Sequence, residues 1–260
     1  MGAAFEFNGE KYRKASKHQK EWGNQLIAAL ELNGKERILD LGCGDGVLTE
    51  RLARLVPEGS VLGIDASTGM LQTARQLQRE NLSFAPMDIN SMDFRDEFDM
   101  IFSNAALHWI KDHHNLLQRT FAALRPEGKV FWNFAGHGTC SNFFDVVLEL
   151  MHDAPYKEYF VGLEWPWFMP SKEEYQALIE PIGFSSVEIT EENRDRCFVN
   201  AEEMICWIDQ PTIVPFLRCV PEEKKASFRS DVVNRMLEKT LQPDGTCFET
   251  FRRIYVTAVK

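Results

Sequence analysis

Three aspartates occur where short apolar runs of the sequence end. Asp40 lies in "RILDLGC", Asp65 in "SVLGID" and Asp88 in "LSFAPMD". A carboxylate at such a position accepts hydrogen bonds, from ribose hydroxyls at Asp65 and from the exocyclic amine of a purine at Asp88. Asp40 could receive an ammonium group. The set predicts a site for a ribose, an adenine and an amino acid, although each acid could instead cap a following helix.

Three glycines, Gly42, Gly44 and Gly46, follow Asp40 at every second position. Glycine lets the chain turn sharply and bring its backbone close to a ligand. A dinucleotide-binding turn has the spacing G-x-G-x-x-G, whose third glycine would stand where this chain has Val47. A pyrophosphate needs the helix start, and Asp40 would repel a phosphate. The loop therefore favours a nucleoside linked to an amino acid and disfavours an NAD-dependent dehydrogenase.

Alternating elements must position these residues. Short apolar runs alternate with amphipathic runs between about residues 35 and 136, and this alternation predicts a parallel sheet covered by helices on both faces. The predicted strands are 37–43, 60–65, 82–88, 98–104 and 129–136, and the predicted helices are 47–56, 68–80 and 114–128.

The second half of the chain has a different pattern. Residues 140–180 are rich in aromatic residues and include two predicted helices, at 140–151 and 171–180, and residues 201–241 carry helical patterns. We interpret both segments as insertions that form a lid over the acceptor. Strands are predicted in "FSSVEIT" and in the closing "CFETFRRIYVTAVK". We interpret residues 1–260 as a single domain with its core at about 35–136.

Composition limits the class of partner. The formal net charge is −10, which disfavours nucleic acid and anionic membranes as partners. Six scattered cysteines without a CxxC pair indicate reduced thiols and no metal site. The sequence shows no signal-peptide core and no run long enough to span a membrane. We expect a cytoplasmic monomer.

The motifs resemble those of class I S-adenosylmethionine-dependent methyltransferases. "LDLGCGDG" is similar to their first motif, and "GIDAS", "MDIN", "SNAALHWIKDH" and "LRPEGKVFW" are similar to the later ones in the same order. This resemblance covers about residues 35–135. It implies S-adenosylmethionine as cofactor and a Rossmann-like, doubly wound α/β fold with a seven-stranded, mostly parallel sheet.

Two families in this class are the most similar. "SNAALHWIKDH", "WIDQPTIVPFL", "FRSDVVNRM" and "FRRIYVTAVK" resemble segments of trans-aconitate methyltransferases. "YRKASKHQKEWGNQLI" resembles the juvenile-hormone-acid methyltransferases of insects. Both families methylate a carboxylate. The resemblance therefore implies a small-molecule acid as acceptor and a methyl ester as product.

The resemblance also implies which residues hold the cofactor. The methionine part would lie against Asp40, Gly42, Gly44 and Asn104. Gln19 matches a position where the N-terminal helix closes over the cofactor, as does Tyr12. The residues implied around the ribose and adenine are Asp65, Ala66, Asp88 and Ile89.

The acceptor side is less sharply defined by the sequence. An ionised carboxylate needs no general base, whereas a phenol, an amine or a carbon acid might need one. His108 is then the candidate base, and the alternative is that it only lines or packs the pocket. Trp109 and Trp167 are candidates to line an apolar acceptor site, with core or lid packing as their alternative.

A carboxylate acceptor also calls for a cation, and arginine suits it through its two-pronged guanidinium. Arg218, Arg252 and Arg253 are candidates. Neighbours on a strand face opposite sides, so at most one of Arg252 and Arg253 faces a given pocket. Arg253 aligns with an arginine of the related family. Two alternatives stay open: methylation of another oxygen, nitrogen or carbon nucleophile, and a relative that binds the cofactor without catalysis.

Overall fold

The computed structural model describes Gly9, Arg13 and residues 16–260, without the side chains of Lys17, Gln210 and Pro211. Tyr12, predicted at the cofactor, lies outside the described residues. Within the described part of the chain, no helix has both the length and the apolar character that a membrane crossing requires.

The chain forms two compact units. The first comprises Met1–His137, Trp167–Glu192 and Arg253–Lys260, and the second comprises Gly138–Pro166 and Asn193–Arg252. The predicted core at 35–136 lies in the first unit, and so does the end of the first predicted insertion, from Trp167 onwards. The lid function of the insertions stays a prediction.

The helices and strands come in the following order along the chain: α1 (Lys17–Ala28), β1 (Arg37–Leu41), α2 (Val47–Leu55), β2 (Ser60–Asp65), α3 (Thr68–Ala74), β3 (Leu82–Pro86), β4 (Phe98–Asn104), α4 (His113–Ala123), β5 (Leu124–Ala135), α5 (Ser141–His152), α6 (Lys172–Ile179), β6 (Ser186–Asn193), β7 (Arg196–Phe198), α7 (Ala201–Trp207), α8 (Val214–Leu217), α9 (Glu222–Thr240), β8 (Cys247–Glu249) and β9 (Arg252–Val259).

One seven-stranded sheet has the order β3-β2-β1-β4-β5-β9-β6. The pairs from β3 to β5 are parallel, and β9 runs antiparallel to β5. The predicted seven-stranded, mostly parallel sheet is confirmed. Because β1 to β5 point the same way, their carboxyl ends meet at one edge, and the antiparallel β9 begins at that edge.

Successive residues of the central strands enter two separate clusters of buried side chains. Ile38 and Met100 pack in a cluster with residues of α1, α2 and α3. Leu39 and Ile101 pack in the other cluster, with residues of α4 and α6. This alternation follows from the two-residue period of a strand, and it explains why β1 and β4 read as continuous apolar runs.

Several predicted boundaries are wrong. The helix predicted over 68–80 ends at Ala74, and only a 3₁₀ turn at Arg75–Leu77 follows it. The helix predicted over 114–128 ends at Ala123, and β5 already begins at Leu124, because a residue just before a proline such as Pro126 disfavours helical geometry. The closing strand is also two strands, β8 and β9. Their separation follows from the amide of Phe251, which donates to a carboxylate oxygen of Asp195 and not to a sheet neighbour.

The second unit packs around its own aromatic core. Phe143, Phe216, Trp207 and Phe228 are buried there, with Phe143 in ring contact with both Trp207 and Phe216. The buried carboxylate of Glu249 accepts hydrogen bonds from backbone amides at the start of α5, and it ties that helix to β8. The two-stranded sheet of β7 and β8 completes the unit.

Candidate active site

The glycine loop between β1 and α2 uses most of its own amides. Gly42 and Cys43 both donate to the carbonyl of Ile64, at 2.9 and 3.0 Å. Gly44 donates to Asp65 Oδ2 at 2.9 Å, and Gly46 donates to the carbonyl of Cys43. An anion site at a helix start needs amides that point at the ligand. These bonds occupy the amides of Gly42, Cys43, Gly44 and Gly46, and the prediction that the loop disfavours a phosphate stays a prediction.

Two of the loop glycines are required by space as well as by backbone angle. Gly42 has a φ of +69°, and a Cβ there would lie 2.3 Å from the Cβ of Ala106 in the segment after β4. Gly46 has a φ of +78°, and its Cβ would lie 2.9 Å from Ala74. The close approach of neighbouring segments thus fixes the glycines at these two positions.

Asp40 is buried at the carboxyl end of β1, with 2% of its surface exposed. The hydroxyl of Thr49 donates to Asp40 Oδ2 at 2.7 Å. Burial raises the pKa of Asp40 to about 7; the bond from Thr49 lowers it and the charge of Asp65 raises it. A carboxylate in this state gains from a cation placed beside it, because the cation stabilises its ionised form.

Asp65 and Asp88 have different local partners. Asp65 accepts from the amides of Gly44 and Ser67, at 2.9 and 2.8 Å, and so braces the glycine loop. Asp88 is exposed and accepts from the amide and side chain of Asn90, as the N-cap of the short 3₁₀ helix Ile89–Ser91. The capping alternative thus describes an actual contact of Asp88, whereas Asp65 holds two separate segments.

Helix α1 lies over the glycine loop. Lys20 forms an ion pair with Asp45 at 3.0 Å, and the side-chain amide of Asn104 donates to the carbonyl of Gln19 at 2.9 Å. A Cβ on Gly23 would lie 2.2 Å from a methyl of Leu48 in α2. The N-terminal helix is therefore packed closely against the first turn of α2 and the end of β4.

A cleft of about 390 Å³ opens between α1, the glycine loop and β4. Gln19 Oε1, Asn104 Oδ1 and Ser16 Oγ are buried at this cleft and have no hydrogen-bond partner among the described residues. Its lining consists of Ser16, Gln19, Lys20, Asp40, Gly42, Cys43, Gly44, Asp45, Leu48, Phe102 and Asn104.

The structure therefore brings five of the predicted cofactor residues together in one cleft: Gln19, Asp40, Gly42, Gly44 and Asn104. The other described cofactor candidates lie outside this lining, and they are Asp65, Ala66, Asp88 and Ile89. They follow β2 and β3, which pair so that Asp65 is opposite Pro86, and the amide of Met87 donates to the carbonyl of Asp65. Their assignment to the ribose and adenine stays a prediction.

A buried arginine occupies the other end of the same sheet edge. Arg253, 4% exposed, lies at the start of β9 and pairs with Ala135 of β5. Asn133 Oδ1 accepts from its Nε at 2.9 Å and from its Nη2 at 2.5 Å, so that one amide oxygen holds one edge of the guanidinium. The guanidinium carbon lies 4.6 Å from the ring centre of Trp22 in α1. Both flanking side chains are buried.

The two arginines at the start of β9 have separate surroundings, as the strand alternation predicts. Arg252 forms an ion pair with Asp195 in the second unit. Arg253 contacts Asn133 and Trp22 in the first unit. Within a buried setting, Arg253 keeps its charge, because a guanidinium does not deprotonate in proteins.

Two histidines lie just after β4. His113 is buried at the start of α4, where its Nε2 lies 2.9 Å from the carbonyl of Leu107 and its Nδ1 lies 3.1 Å from the hydroxyl of Tyr175. Burial lowers the pKa of His113 to about 4. Both ring nitrogens of His113 therefore have hydrogen-bond partners, which indicates a structural role at the start of α4.

His108 lies near enough to Arg253 to be affected by its charge. Burial holds its pKa well below 6.5, and the charges of Arg253 and then His113 lower it further. Its Nδ1 atom is buried without a hydrogen-bond partner in the described part of the chain.

The two predicted acceptor-lining tryptophans lie together beside His108. The ring centres of Trp109 and Trp167 are 5.3 Å apart. The amide of Phe168 donates to the carbonyl of His108 at 2.8 Å, which fixes the segment that carries Trp167 against the one that carries Trp109.

Several residues of this site were not found from the sequence. Thr49 and Lys20 belong to no motif, and Asp45 lies within "LDLGCGDG" without having been singled out. Asn133 had a detectable signal, since an isolated amide in the buried run "VFWNFA" needs a partner there. Trp22 had another, since it lies three residues after Gln19 and so shares its helix face.

Comparison with known proteins agrees with this geometry. Residues 38–128 match the family model described as "Methyltransferase domain". Over 98% of both chains, the protein is 27% identical to a trans-aconitate 2-methyltransferase of Variovorax paradoxus. It is 33% identical to a malonyl-[acyl-carrier protein] O-methyltransferase of Acetivibrio thermocellus, over 53% of this chain and 50% of that one.

A solved structure shares the fold. Haemonchus contortus phosphoethanolamine N-methyltransferase 2, in complex with S-adenosyl-L-methionine, has a TM-score of 0.56 and 22% identity, over 99% of this chain and 60% of that one. The sheet order and the glycine cleft define a class I, Rossmann-like methyltransferase. This chain is an S-adenosylmethionine-dependent methyltransferase, similar over nearly its whole length to trans-aconitate methyltransferases.

The cleft suits the methionine end of that cofactor. An α-ammonium group donates three hydrogen bonds, and the cleft offers the carboxylate of Asp40 and the unpartnered oxygens of Gln19 and Asn104. An ammonium beside Asp40 would also favour the ionised carboxylate over the buried neutral acid. The residues present therefore fit the group.

Proposed function

We propose that this enzyme transfers a methyl group to a small carboxylic acid and forms a methyl ester. The observation that carries the proposal is the buried Arg253 at the same sheet edge as the cofactor cleft. A guanidinium binds a carboxylate through paired, charge-assisted hydrogen bonds. The similarity to trans-aconitate 2-methyltransferases supports the same class of acceptor.

In this proposal, the cofactor supplies a methyl group activated by a sulfonium. Asp40, Gln19 and Asn104 bind its methionine end, and Asp65 accepts from its ribose hydroxyls. Asp65 accepts from the amides of Gly44 and Ser67, which hold its carboxylate in place at the end of β2. Arg253 orients the acceptor, and alignment together with exclusion of water accounts for most of the rate.

The state of His108 also favours an acid over a phenol or an amine. Burial and the charge of Arg253 hold the pKa of His108 well below 6.5, so its imidazole is a weak base. A phenol or an amine would need a base with a pKa near the working pH. A carboxylate is already ionised and needs none.

A screen with labelled S-adenosylmethionine tests the acceptor class directly. Small carboxylic acids with and without apolar tails, phenols and amines are compared, and the product is checked for an alkali-labile ester. With the best acid, Arg253→Met should raise KM at least about tenfold, because a charge-assisted pair is lost. Arg252→Met is the matched control, since Arg252 pairs with Asp195, and its KM should stay within twofold.

The result that would remove the proposal is methylation of phenols or amines with no acid turned over. Equal KM values for the Arg253→Met variant and the wild type would leave an ester product but remove Arg253 from its binding.

We also propose that the enzyme acts as a cytoplasmic monomer without a nucleic-acid partner. The formal net charge of −10 and the six free cysteines support this setting. Light scattering after gel filtration tests the monomer, and a dimer mass at micromolar concentration would contradict it.

A further inference from the structure

One face of α1 contacts both ends of the active-site edge. Gln19 lines the cofactor cleft, and Gly23 lies against Leu48 and Asn104. Trp22 lies on the guanidinium of Arg253. Since the three positions fall within five consecutive residues, one face of the helix connects the cofactor cleft with the arginine at the start of β9.

The contacts that hold this helix fall into two groups. Its C-terminal half is anchored by Leu26 and Ile27, which are buried in a core cluster. The cleft residues Gln19 and Lys20 lie outside that cluster. The contacts of this earlier part of the helix include the ion pair of Lys20 with Asp45, the stacking of Trp22 on Arg253 and the close packing of Gly23 on Leu48.

We propose that Trp22 and Arg253 are positioning residues that hold α1 over the cofactor cleft. Arg253 is not among the residues that line the cleft, and its contact with Trp22 connects it to the helix that covers the cleft. A cation–π contact is strongest where both partners are desolvated, and both are buried here. Asn133 holds the guanidinium in place, which reduces the side-chain entropy lost in the stack.

If the acceptor is a carboxylic acid, as the proposed function states, its binding is coupled to the position of α1. An acid bound at Arg253 would share that group with the helix that covers the cofactor. Two ligands that bias one element influence each other reciprocally. The closing experiment leaves the acceptor out, so a failure of the carboxylate proposal would not alter its result.

The experiment measures the affinity for S-adenosylhomocysteine by calorimetry, without acceptor. Trp22→Leu and Arg253→Met should each weaken binding about fivefold to tenfold, the range expected of a desolvated cation–π contact. The double variant should bind about as weakly as either single variant, because both remove the same contact. Trp22→Phe and Arg253→Lys keep a ring and a cation, and they should restore most of the affinity.

A similar contact elsewhere gives the matched control. Arg37 at the start of β1 lies 5.9 Å from the ring centre of Phe98, at the amino end of the sheet and away from the cleft. Arg37→Met should leave S-adenosylhomocysteine affinity within twofold. Hydrogen exchange in residues 17–28 of the bound protein should become faster in Arg253→Met and stay unchanged in Arg37→Met.

Unchanged affinity in a folded Arg253→Met variant would overturn the inference, as would single effects that add fully in the double variant. If Trp22→Leu fails to fold, Arg253→Met, Arg253→Lys and the exchange rates of α1 decide the question.

Discussion

The two ends of the active-site edge carry opposite charge and are built in different ways. At β1 and β2, Asp40 and Asp65 surround a glycine loop of consecutive residues. At β5 and β9, Arg253 lies on an amide of Asn133, 120 positions away in the chain. The bonds at the anionic end join residues at most 21 positions apart, and the bond at the cationic end joins residues 120 positions apart.

The comparison also shows two ways of burying a charge. Asp40 can take up a proton, because burial raises its pKa to about 7. A cation bound beside it then favours the ionised carboxylate. Arg253 has no such freedom, and the protein supplies a fixed acceptor and an aromatic face instead. The anionic end therefore responds to pH and ligand, whereas the cationic end is constant.

The largest effect should come from the anionic end. Asp65→Ala removes a carboxylate that we expect to bind the ribose and that also braces Gly44 and Ser67. Hydrogen bonds to charged groups contribute about 1.5–3 kcal/mol each, so affinity for S-adenosylhomocysteine should fall at least tenfold. Calorimetry checks this, and Asp93→Ala, at an exposed aspartate paired with Arg95, is the control. Equal affinity in Asp65→Ala would end the assignment.

An intermediate effect should distinguish the two ways of burying charge. An acid whose folded pKa is raised from 3.8 to about 7 holds a proton that the unfolded chain releases, so the free energy of unfolding falls as pH rises across that window. Asp40→Asn is neutral and can still accept from Thr49. Its melting temperature without ligand should equal that of the wild type near pH 4 and exceed it at pH 8.

The substitution Asp40→Asn should also weaken S-adenosylhomocysteine binding, because the amide cannot neutralise an ammonium.

The size of the stability gain follows from the pKa shift of Asp40. One pKa unit corresponds to about 1.4 kcal/mol, so the gain in the free energy of unfolding at pH 8 should be a few kcal/mol at most. A variant that is less stable than the wild type at pH 8 would contradict the raised pKa.

The smallest effect is expected at His108. If the acceptor is an acid, His108→Ala should reduce turnover less than about threefold, since no proton has to be removed. The rate should also stay flat with pH above the pKa of the acceptor. Steady-state rates from pH 5 to 9 check this. A steep rise through pH 7 that disappears in the variant would instead require a histidine base.

What could be predicted from the sequence follows the same division. The glycine loop, β2 and β4 lie where the sequence predicts them, because apolar runs and glycine spacing are local signals. The sequence marks Asn133 as a buried amide in need of a partner but does not pair it with Arg253, since the two meet only through the register of β5 and β9. The early end of α4 was missed because β5 begins before Pro126 and continues the same apolar run.

The position of β9 affects the order in which the protein can fold during synthesis. β9 is the last strand in the chain, yet in the sheet it lies between β5 and β6. On the ribosome, β6 is made before the strand that links it to the rest of the sheet. Likewise, Glu249, which accepts from the amide of Asn142 in the first turn of α5, is made 107 residues after Asn142. Completion of both units depends on the final segment, so a stalled or clipped C-terminus would expose an unpaired strand and be prone to aggregation.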